Sequence, residues 1–446
     1  MPAATAAGIR PTHMPTASGT GSSGPDPARL TQDTQRTKER GPVDTPSLRI
    51  AMVGHGFMGA AHSQGWRVAP RFFDLPARPE MALLVGRNAE TTAASAGKWG
   101  WAESSTDWRA AVARDDIDIV DIVTPGSSHV EIALAALAAG KHVLCEKPLA
   151  NTAEQAQAMA DAAERAARNG VFAMVGFTYR RVPAATLARD LVAAGAVGEI
   201  RQVRAAYLQD WLVDPDVPLA WRLQKDQAGS GALGDIGAHA IDLAQFITGR
   251  RLTSVSGVLE TFVSERPLLA SSAGLGGTAA AERGTVTVDD VALFTGRFEG
   301  GALGSFEATR MSTGRKNALR IEVAGSRGAV TFDLEDLNAL GVYDATAPAG
   351  KQGFTRILVT EPEHPYLAAW WPAGHLLGYE HGFTHQAKDF VEAIVAGRQP
   401  EPSFADGFQV QRVLTAVEHS AGAGSAWTPI SGSAPVAPEA ALANRP

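Results

Sequence analysis

Hydrophobic runs alternate with amphipathic stretches along the first half of the chain. The runs have the length and β-branched character of buried strands, and the stretches between them show helical spacing. The predicted strands cover 48–53, 81–85, 117–123, 141–145 and 171–177. This β-α-β rhythm predicts a Rossmann domain, a doubly wound parallel sheet, over residues 47–178.

The sequence of this half also predicts where three helices begin. A helix should begin near Met58, a second at a capping box formed by Ser128 and Glu131, and a third at a cap near Asn151 or Thr152. The resulting fold class is α/β for this part of the chain.

The pattern changes beyond Tyr179. One helix, 184–194, precedes a series of β-rich segments joined by short Gly-containing links, at 299–301 and 325–328, which are typical of hairpins. The β-rich segments cover 200–208, 253–263, 285–298, 302–310, 319–323 and 329–334. Residues 179–430 are therefore predicted to be an α+β domain with an open, mainly antiparallel sheet.

The rest of this second domain is predicted as follows. The insert 271–284 lacks periodicity and is expected to be a surface loop, and helices are expected near 385–396 and 407–421. Both ends of the chain, 1–46 and 431–446, are poor in large apolar residues, which predicts a disordered extension and a loose tail. The first of them lacks the apolar core of a secretory signal.

Composition excludes several classes of function. The 446 residues carry a net charge of -7, with no basic stretch for nucleic acid and no apolar run long enough to cross a bilayer. The single cysteine, Cys145, cannot form an internal disulfide, so we expect a reducing, cytoplasmic location and a buried, unreactive thiol. His381 and His385 have the spacing of a metal pair, but no third ligand is placed, and we predict no metal.

The first predicted strand runs directly into Gly54-His55-Gly56-Phe57-Met58-Gly59. This G-x-G-x-x-G pattern also occurs in ordinary turns, but a strand before it and a helix after it favour a dinucleotide site. Gly54 would make the turn, Gly56 would admit a pyrophosphate, and Gly59 would allow the helix to pack on the strand.

The second strand ends at Gly86-Arg87, where NAD-specific folds usually carry an acid for the ribose hydroxyl groups. Glycine leaves room for a 2′-phosphate and arginine can neutralise it, so the cofactor is predicted to be NAD or NADP, with NADP favoured. Arg87 could equally lie over the adenine or in solvent.

Four motifs together resemble the glucose-fructose oxidoreductase / inositol dehydrogenase / MocA family over about residues 48–428. They are the glycine turn 54–59, Thr124-Pro125 at a strand exit, Glu146-Lys147-Pro148, and the segment 231–242 with its Asp235 and His239. Further segments, 207–211, Trp221-Arg222 with Lys225, and 288–290, are similar to the levoglucosan dehydrogenase branch of that family.

The resemblance implies that residues 179–430 are the substrate-binding and oligomerisation domain, and it implies a set of functional residues. It places Lys147 beside the nicotinamide as a donor to the reacting oxygen, His239 as the base and Asp235 as a partner of a neighbouring hydroxyl. The implied cofactor contacts are Gly54, Gly56, Phe57, Met58, Gly59, Arg87, Thr124, Pro125, His129, Glu146, Lys147, Trp221 and Arg222. The implied substrate contacts are Tyr179, Arg180, Gln209, Asp210, Trp211, Asp235 and His239.

These residues have simpler interpretations as well. The aromatic side chains would suit the apolar face of a sugar ring but also fit a plain core. Arg180 and Arg222 would suit either a cofactor phosphate or the substrate.

The expected function is therefore NAD(P)-dependent oxidation of a secondary hydroxyl group of a sugar, a levoglucosan-like anhydrosugar or a cyclic polyol, in a homo-oligomer. The alternatives are a myo-inositol-type dehydrogenase, a non-catalytic dinucleotide-binding regulator, and an enzyme that retains its nucleotide while passing hydride between two sugars.

Overall fold

The computed structural model describes residues 46–273 and 276–430 of the chain. It describes the backbone but not the side chains of 271–273, 276 and 277. The predicted extension therefore lies outside the described residues except for Pro46, and the predicted tail, 431–446, lies outside them completely. Both stay predictions.

The first half of the chain alternates strands and helices as predicted. The strands are β1 (Ser47–Val53), β2 (Arg78–Val85), β3 (Glu103–Ser105), β4 (Ile119–Ile122), β5 (His142–Cys145) and β6 (Ala173–Val175). The helices are α1 (Phe57–Phe72), α2 (Ala89–Trp99), α3 (Trp108–Val112), α4 (His129–Ala138) and α5 (Ala153–Ala167).

These six strands form one parallel sheet in the order β3-β2-β1-β4-β5-β6. The order reverses between β1 and β4, which is where ligands bind in doubly wound folds. All four residues of β4 are buried, as expected for a strand covered by helices on both faces. The predicted Rossmann architecture is confirmed.

The second half begins with α6 (Pro183–Ala193) and closes with two long helices. The remaining helices are α7 (Lys225–Ala228), α8 (Ala238–Thr248), α9 (His381–Val395) and α10 (Phe404–Gly422). The strands are β7 (Ile200–Leu208), β8 (Leu252–Glu260), β9 (Glu265–Ala273), β10 (Gly276–Thr285), β11 (Val291–Phe298), β12 (Leu303–Thr309), β13 (Ala318–Gly325), β14 (Gly328–Asp333), β15 (Ala339–Asp344), β16 (Phe354–Leu358) and β17 (Thr428–Pro429).

Nine of these strands form a mixed, mainly antiparallel sheet in the order β16-β15-β14-β13-β7-β12-β11-β8-β17. Only the β7 and β12 pair is parallel in this described sheet. The helices α6, α8 and α10 contact its strands, and the predicted hairpins join β11 to β12 and β13 to β14. The predicted open α+β sheet is confirmed.

The two sheets lie in one compact unit, and the largest of its hydrophobic clusters includes residues of both sheets. Helix α9 packs against α1, and α10 packs against α5, so the end of the chain returns to the first sheet. The predicted boundary between 178 and 179 stays a prediction.

Two local predictions were wrong. The insert 271–284 is not a loop, because β9 and β10 pair there as an antiparallel two-stranded hairpin. Ser128 does not cap α4 with its side chain; its Oγ lies 2.7 Å from Thr124 Oγ1 and 2.9 Å from the Pro125 carbonyl oxygen, within hydrogen-bond distance of both. The Thr152 cap, in contrast, accepts from the Gln155 amide as predicted.

The helices of the described residues include none that is long and apolar enough to cross a membrane.

Candidate active site

The glycine turn after β1 has the geometry of a phosphate cradle. Gly54 has φ +111°, and a Cβ atom there would lie 2.9 Å from the Val123 backbone. At Gly59 a Cβ would lie 2.9 Å from the Gly54 carbonyl oxygen, whereas at Gly56 it would meet nothing within 4 Å. The fold itself therefore requires two of the glycines, and the third leaves open space for a ligand.

Helix α1 begins at this turn with no side-chain cap and no acidic residue in its first turn. Its first N–H groups and the positive end of its dipole are therefore free to hold an anion. The cradle and the helix fit the pyrophosphate of a dinucleotide. Phe57 is half-exposed at this turn and stacks at 6.3 Å on Tyr379, while Met58 packs partly buried on the core beneath it.

Gly86, at the end of β2, is explained by packing within the protein. A Cβ atom on Gly86 would lie 2.3 Å from the His55 ring and 2.4 Å from Thr92 Oγ1. Close packing of His55 therefore explains Gly86 without a 2′-phosphate. Arg87 is exposed and makes no hydrogen bond or ion pair within the described ranges.

Lys147 follows β5 at the carboxyl edge of the parallel sheet and reaches across to the second half of the chain. Its ammonium donates to the Asp235 carbonyl oxygen at 2.6 Å and lies 3.4 Å from Asp235 Oδ1. Its side chain is mostly buried, with 14% of its surface exposed. The structure thus brings together two residues that the sequence implied as catalytic.

Asp235 and His239 lie on one irregular helical stretch. Residues Leu233–Gly237 form a π-helical turn that leads into α8, and His239 follows Asp235 by about one turn. The His239 ring lies 4.6 Å from that of Tyr179, 5.9 Å from Phe177 and 6.0 Å from Tyr207, measured between ring centroids. The histidine therefore sits in an aromatic pocket.

This pocket and its charges set the protonation states. Burial, together with the positive charge of Lys147, lowers the pKa of His239 well below its usual value, and Asp235 opposes this only in part. Burial alone would raise the pKa of Asp235, but the charges of Lys147, Arg310 and Arg222 lower it to about 2. At neutral pH the site therefore holds a neutral imidazole beside an ionised carboxylate.

A chain of polar side chains lines the same space. The Tyr179 and Tyr207 hydroxyl oxygens lie 2.8 Å apart, and Tyr207 donates to Asn317 Oδ1 at 2.7 Å. Gln209 also donates to Asn317, at 2.8 Å, and accepts from the Trp211 indole at 2.9 Å. Three of the implied substrate residues are thus locked into one network.

Arg180 is paired within the protein. It is buried and forms a two-point ion pair with Asp242, from Nε at 2.8 Å and from Nη2 at 2.6 Å. This pair occupies one edge of the guanidinium. The implied contact of Arg180 with the substrate stays a prediction.

His129, an implied nucleotide contact, is held between two turns of the protein, and its contact with a nucleotide stays a prediction. Its ring is buried, with Nε2 2.8 Å from the Thr124 carbonyl oxygen and Nδ1 3.1 Å from that of Pro148. The side chain therefore braces the turn after β4 against the turn after β5. Thr124 and Pro125 are half-buried on that turn.

The implied contacts Asp210, Trp221 and Arg222 have partners within the protein. Asp210 accepts from Lys316 at 2.7 Å and from the Gly314 amide at 3.2 Å. Arg222 lies with its Cζ atom 4.4 Å from the Trp221 ring centroid, and both residues are partly exposed. A ligand could still reach them.

Glu146 belongs to a buried triad that the sequence analysis missed. His62 on α1 places Nδ1 2.9 Å from Asp121 Oδ2 and Nε2 3.0 Å from Glu146 Oε1. Trp66 donates to the same Asp121 oxygen at 2.7 Å, and Glu146 Oε2 accepts the Lys147 amide at 3.2 Å. The lone Asp within the apolar strand β4 was the signal available in the sequence.

The triad fixes the charge of His62. Ionised carboxylates only accept hydrogen bonds, so both ring nitrogens must donate and the imidazole must be protonated. Burial would lower the pKa of His62, but the charges and hydrogen bonds of Asp121 and Glu146 raise it to about 10. This ion triad ties the cradle helix to the Lys147 turn.

His385 and Cys145, which were also singled out in the sequence, are both buried in the structure. His385 accepts from the Trp370 indole at 2.7 Å, and its Nδ1 lies 2.9 Å from the Arg181 carbonyl oxygen, so both nitrogens are engaged. In the described part of the chain no group of three His, Cys, Asp or Glu side chains has an arrangement that could hold a metal ion. Cys145 is fully buried, and burial raises the pKa of its thiol.

The arrangement has the parts needed to oxidise an alcohol. It offers a cationic donor, a neutral base and a carboxylate acceptor on one side of a dinucleotide cradle.

Comparison with known proteins agrees with this geometry. The oxidoreductase family with an NAD-binding Rossmann fold matches residues 48–177, and the GFO/IDH/MocA C-terminal domain matches residues 186–331. A levoglucosan dehydrogenase from Pseudarthrobacter phenanthrenivorans is 43% identical over 380 residues, which are 84% of this chain and 96% of that protein.

Solved structures give the same result. An oxidoreductase domain protein from Kribbella flavida has a TM-score of 0.83 and 62% identity, covering 86% of this chain and 99% of its own. A levoglucosan dehydrogenase in complex with NADH and levoglucosan has a TM-score of 0.81 and 41% identity, covering 86% of this chain and 100% of its own. The resemblance read from the motifs is confirmed.

The ion triad predicts how stability depends on pH. Because the folded pKa of His62 is raised, the triad stabilises the fold fully below the unfolded value of 6.5 and loses this contribution as pH rises towards about 10. His62→Gln should therefore lower the free energy of unfolding by about 3–5 kcal/mol near pH 6 and by clearly less near pH 9.5. Urea unfolding at both pH values measures this.

The exposed His419, replaced by Gln, is the matched control and should change stability little at either pH. An equal loss for His62→Gln at both pH values would show that His62 is not held as a cation.

Proposed function

The chain belongs to the Gfo/Idh/MocA family of oxidoreductases, and on that premise we propose that it oxidises a secondary hydroxyl group of levoglucosan or a related anhydrosugar to a ketone, with NAD as cofactor. The observation that carries this proposal is the contact of Lys147 with Asp235, with His239 one turn away, at the edge of the sheet that holds the glycine cradle. The similarity to levoglucosan dehydrogenase over most of the chain supports the substrate class.

The proposed roles follow from the protonation states. NAD, when bound, supplies the hydride acceptor. Lys147 uses one N–H on the Asp235 carbonyl and retains others for the reacting oxygen, where its charge stabilises a developing alkoxide. His239 is neutral, so its imidazole can take the hydroxyl proton.

Asp235 completes the proposed site. Its carboxylate is ionised and partly exposed, with 26% of the side chain accessible, so it can accept a hydrogen bond from a neighbouring sugar hydroxyl. The aromatic side chains around His239 offer flat apolar surface to the sugar ring.

Inositol-type polyols remain the second candidate, since the polar network of Tyr207, Asn317 and Gln209 suits any ring rich in hydroxyl groups. Steady-state assays with levoglucosan, its relatives and cyclic polyols, read at the nicotinamide absorbance, decide between them. The expected cytoplasmic location stays a prediction.

Replacement of the proposed catalytic residues should separate chemistry from binding. Lys147→Ala and His239→Ala should each lower kcat by roughly two or more orders of magnitude, because proton transfer or charge stabilisation is lost. Nucleotide affinity should change little. Single-turnover kinetics and fluorescence titration with the nucleotide measure the two effects.

Lys141 provides the matched control. It precedes β5 as Lys147 follows it, is buried, and donates to the Arg114 carbonyl at the opposite edge of the sheet. Lys141→Ala should retain kcat. Near-full turnover in His239→Ala would remove the histidine from the mechanism.

For the cofactor we propose NAD, although the sequence favoured NADP. The related complex contains NADH, and packing against His55 accounts for Gly86. Arg87 is nevertheless free to meet a 2′-phosphate if NADP is offered.

A variant of Arg87 tests this choice. Arg87→Ala should leave NAD affinity within about twofold but weaken NADP by about 1.5–3 kcal/mol, the value of a charge-assisted contact. Binding titrations with both nucleotides measure it, and Arg71→Ala, an exposed arginine on α1, is the control. Equal effects on the two nucleotides would place Arg87 outside the 2′ site.

The nine-stranded sheet also supports the proposed homo-oligomer. Side chains alternate along β11, so that Ala292 and Phe294 are buried while Leu293 is 44% exposed. Its cross-strand neighbour Val258 in β8 is 48% exposed. An exposed apolar pair on a broad sheet face fits a second copy of the same chain.

Charges introduced on this face should therefore dissociate the oligomer. The double variant Val258→Lys, Leu293→Lys should have a lower mass by light scattering than the unmodified protein. Leu376→Lys, which alters an exposed apolar residue outside the sheet, should not. A monomeric unmodified protein, or a double variant of unchanged mass, would contradict the proposed interface.

A further inference from the structure

Arg310, which follows β12, is a fully buried cation directly behind the proposed active site. Its side chain has no exposed surface, and Nη1 lies 3.5 Å from Asp235 Oδ2. Nη2 donates to the Asp289 carbonyl at 3.1 Å, whereas Nε and Nη1 have no hydrogen-bond partner among the described residues. A buried guanidinium with two unused donors is costly, so its presence calls for a physical reason.

The surroundings of Arg310 fix its position. Its backbone amide donates to the Asp290 carbonyl at 3.2 Å, and its Cζ lies 5.7 Å from the Trp211 ring centroid. The Asp289 carboxylate accepts the amides of Gly231 and Leu233 at 2.7 Å each. Asp289 thereby clamps the start of the π-helical turn that carries Asp235, and its carbonyl holds Arg310.

We propose that Arg310 is a positioning residue that keeps Asp235 ionised and fixed, so that this carboxylate always accepts, and never donates, a hydrogen bond towards the substrate. The inference rests on the function proposed above. Since Arg310 is inaccessible, it acts through Asp235 and touches no ligand itself.

Four groups lower the pKa of the Asp235 carboxyl, and the Tyr179 and Tyr207 hydroxyl groups also interact with its charge. Lys147 approaches from the end of β5, Arg310 from the end of β12, Arg222 from the turn before α7, and His239 from α8. Lys147 is also the donor proposed for the reacting oxygen, and lysine can lose its proton, whereas arginine stays charged at every working pH. Arg310 and Arg222 therefore supply a positive charge at Asp235 that pH does not remove, and of the two only Arg310 is fully buried.

The two carboxylate oxygens remain available for a ligand. Oδ1 lies 3.4 Å from Lys147 and Oδ2 lies 3.5 Å from Arg310, both longer than a charge-assisted hydrogen bond. The cations thus stabilise the charge of Asp235 without occupying its lone pairs. This arrangement suits an acceptor that must be ionised and free.

The test follows the titration of Asp235 directly, by NMR of protein labelled at the aspartate carboxyl carbons and assigned with Asp235→Asn. In Arg310→Met the pKa of Asp235 should rise by about 1–3 units, the size expected when a neighbouring cation is lost. In Arg310→Lys it should stay close to that of the unmodified protein. The acid limb of kcat/KM should move upwards in Arg310→Met by a similar amount.

Arg266 is the matched control, because it is equally buried but donates to the backbone carbonyls of Leu212 and Asp214. Arg266→Met should lower stability without moving the titration of Asp235. An unchanged Asp235 titration in Arg310→Met, or an equal shift in Arg266→Met, would overturn the proposal.

A second variant covers the case in which Arg310→Met does not fold. In Lys147→Met, Arg310 is intact, and the pKa of Asp235 should stay at or below about 4, the ordinary value of an Asp carboxyl, although burial alone would raise it. An Asp235 that titrates above pH 5 in this variant would overturn the proposal. These titrations need no turnover, so a failure to oxidise any sugar would count against the proposed function and not against the role of Arg310.

Discussion

The contact between Lys147 and Asp235, which are 88 residues apart in the sequence, joins the two halves of the chain. Lys147 stands at the carboxyl edge of the parallel sheet, and Asp235 stands on the helix that leads into the core of the second sheet. The candidate site exists only where the two sheets meet, because neither half alone contains the donor, the base and the acceptor.

Charge then determines what this junction can do. Lys147, Arg222 and Arg310 surround one carboxylate and an aromatic pocket keeps His239 neutral, so positive charge predominates where an alkoxide would form. On the cofactor side the balance is opposite: His62 lies between Asp121 and Glu146, and the buried triad carries one net negative charge. Glu146 and Lys147 are adjacent, so the two charged clusters share one turn.

Sequence predicted the parts of the site that depend on local patterns. The glycine turn, the Glu146-Lys147 pair after a strand and the one-turn spacing of Asp235 and His239 are short-range features, and they resembled a family whose fold is now confirmed. Arg310 and His62 were missed because their partners lie on other elements, at distances that only folding sets. The pairing of Arg180 with Asp242 was missed for the same reason, because the two residues are 62 positions apart in the sequence. At Ser128 the error was local, because its hydroxyl bonded backward to Thr124 and Pro125.

The most direct test of the central claim is the fate of the hydrogen on the oxidised carbon. Levoglucosan deuterated in turn at each secondary carbinol carbon would be incubated with the enzyme and NAD, and the nicotinamide product examined by NMR. We expect one position to transfer its deuterium to the nicotinamide ring in equal amount to the ketone formed. Ketone formation without deuterium on the nicotinamide, or no transfer from any position, would contradict direct hydride transfer at this site.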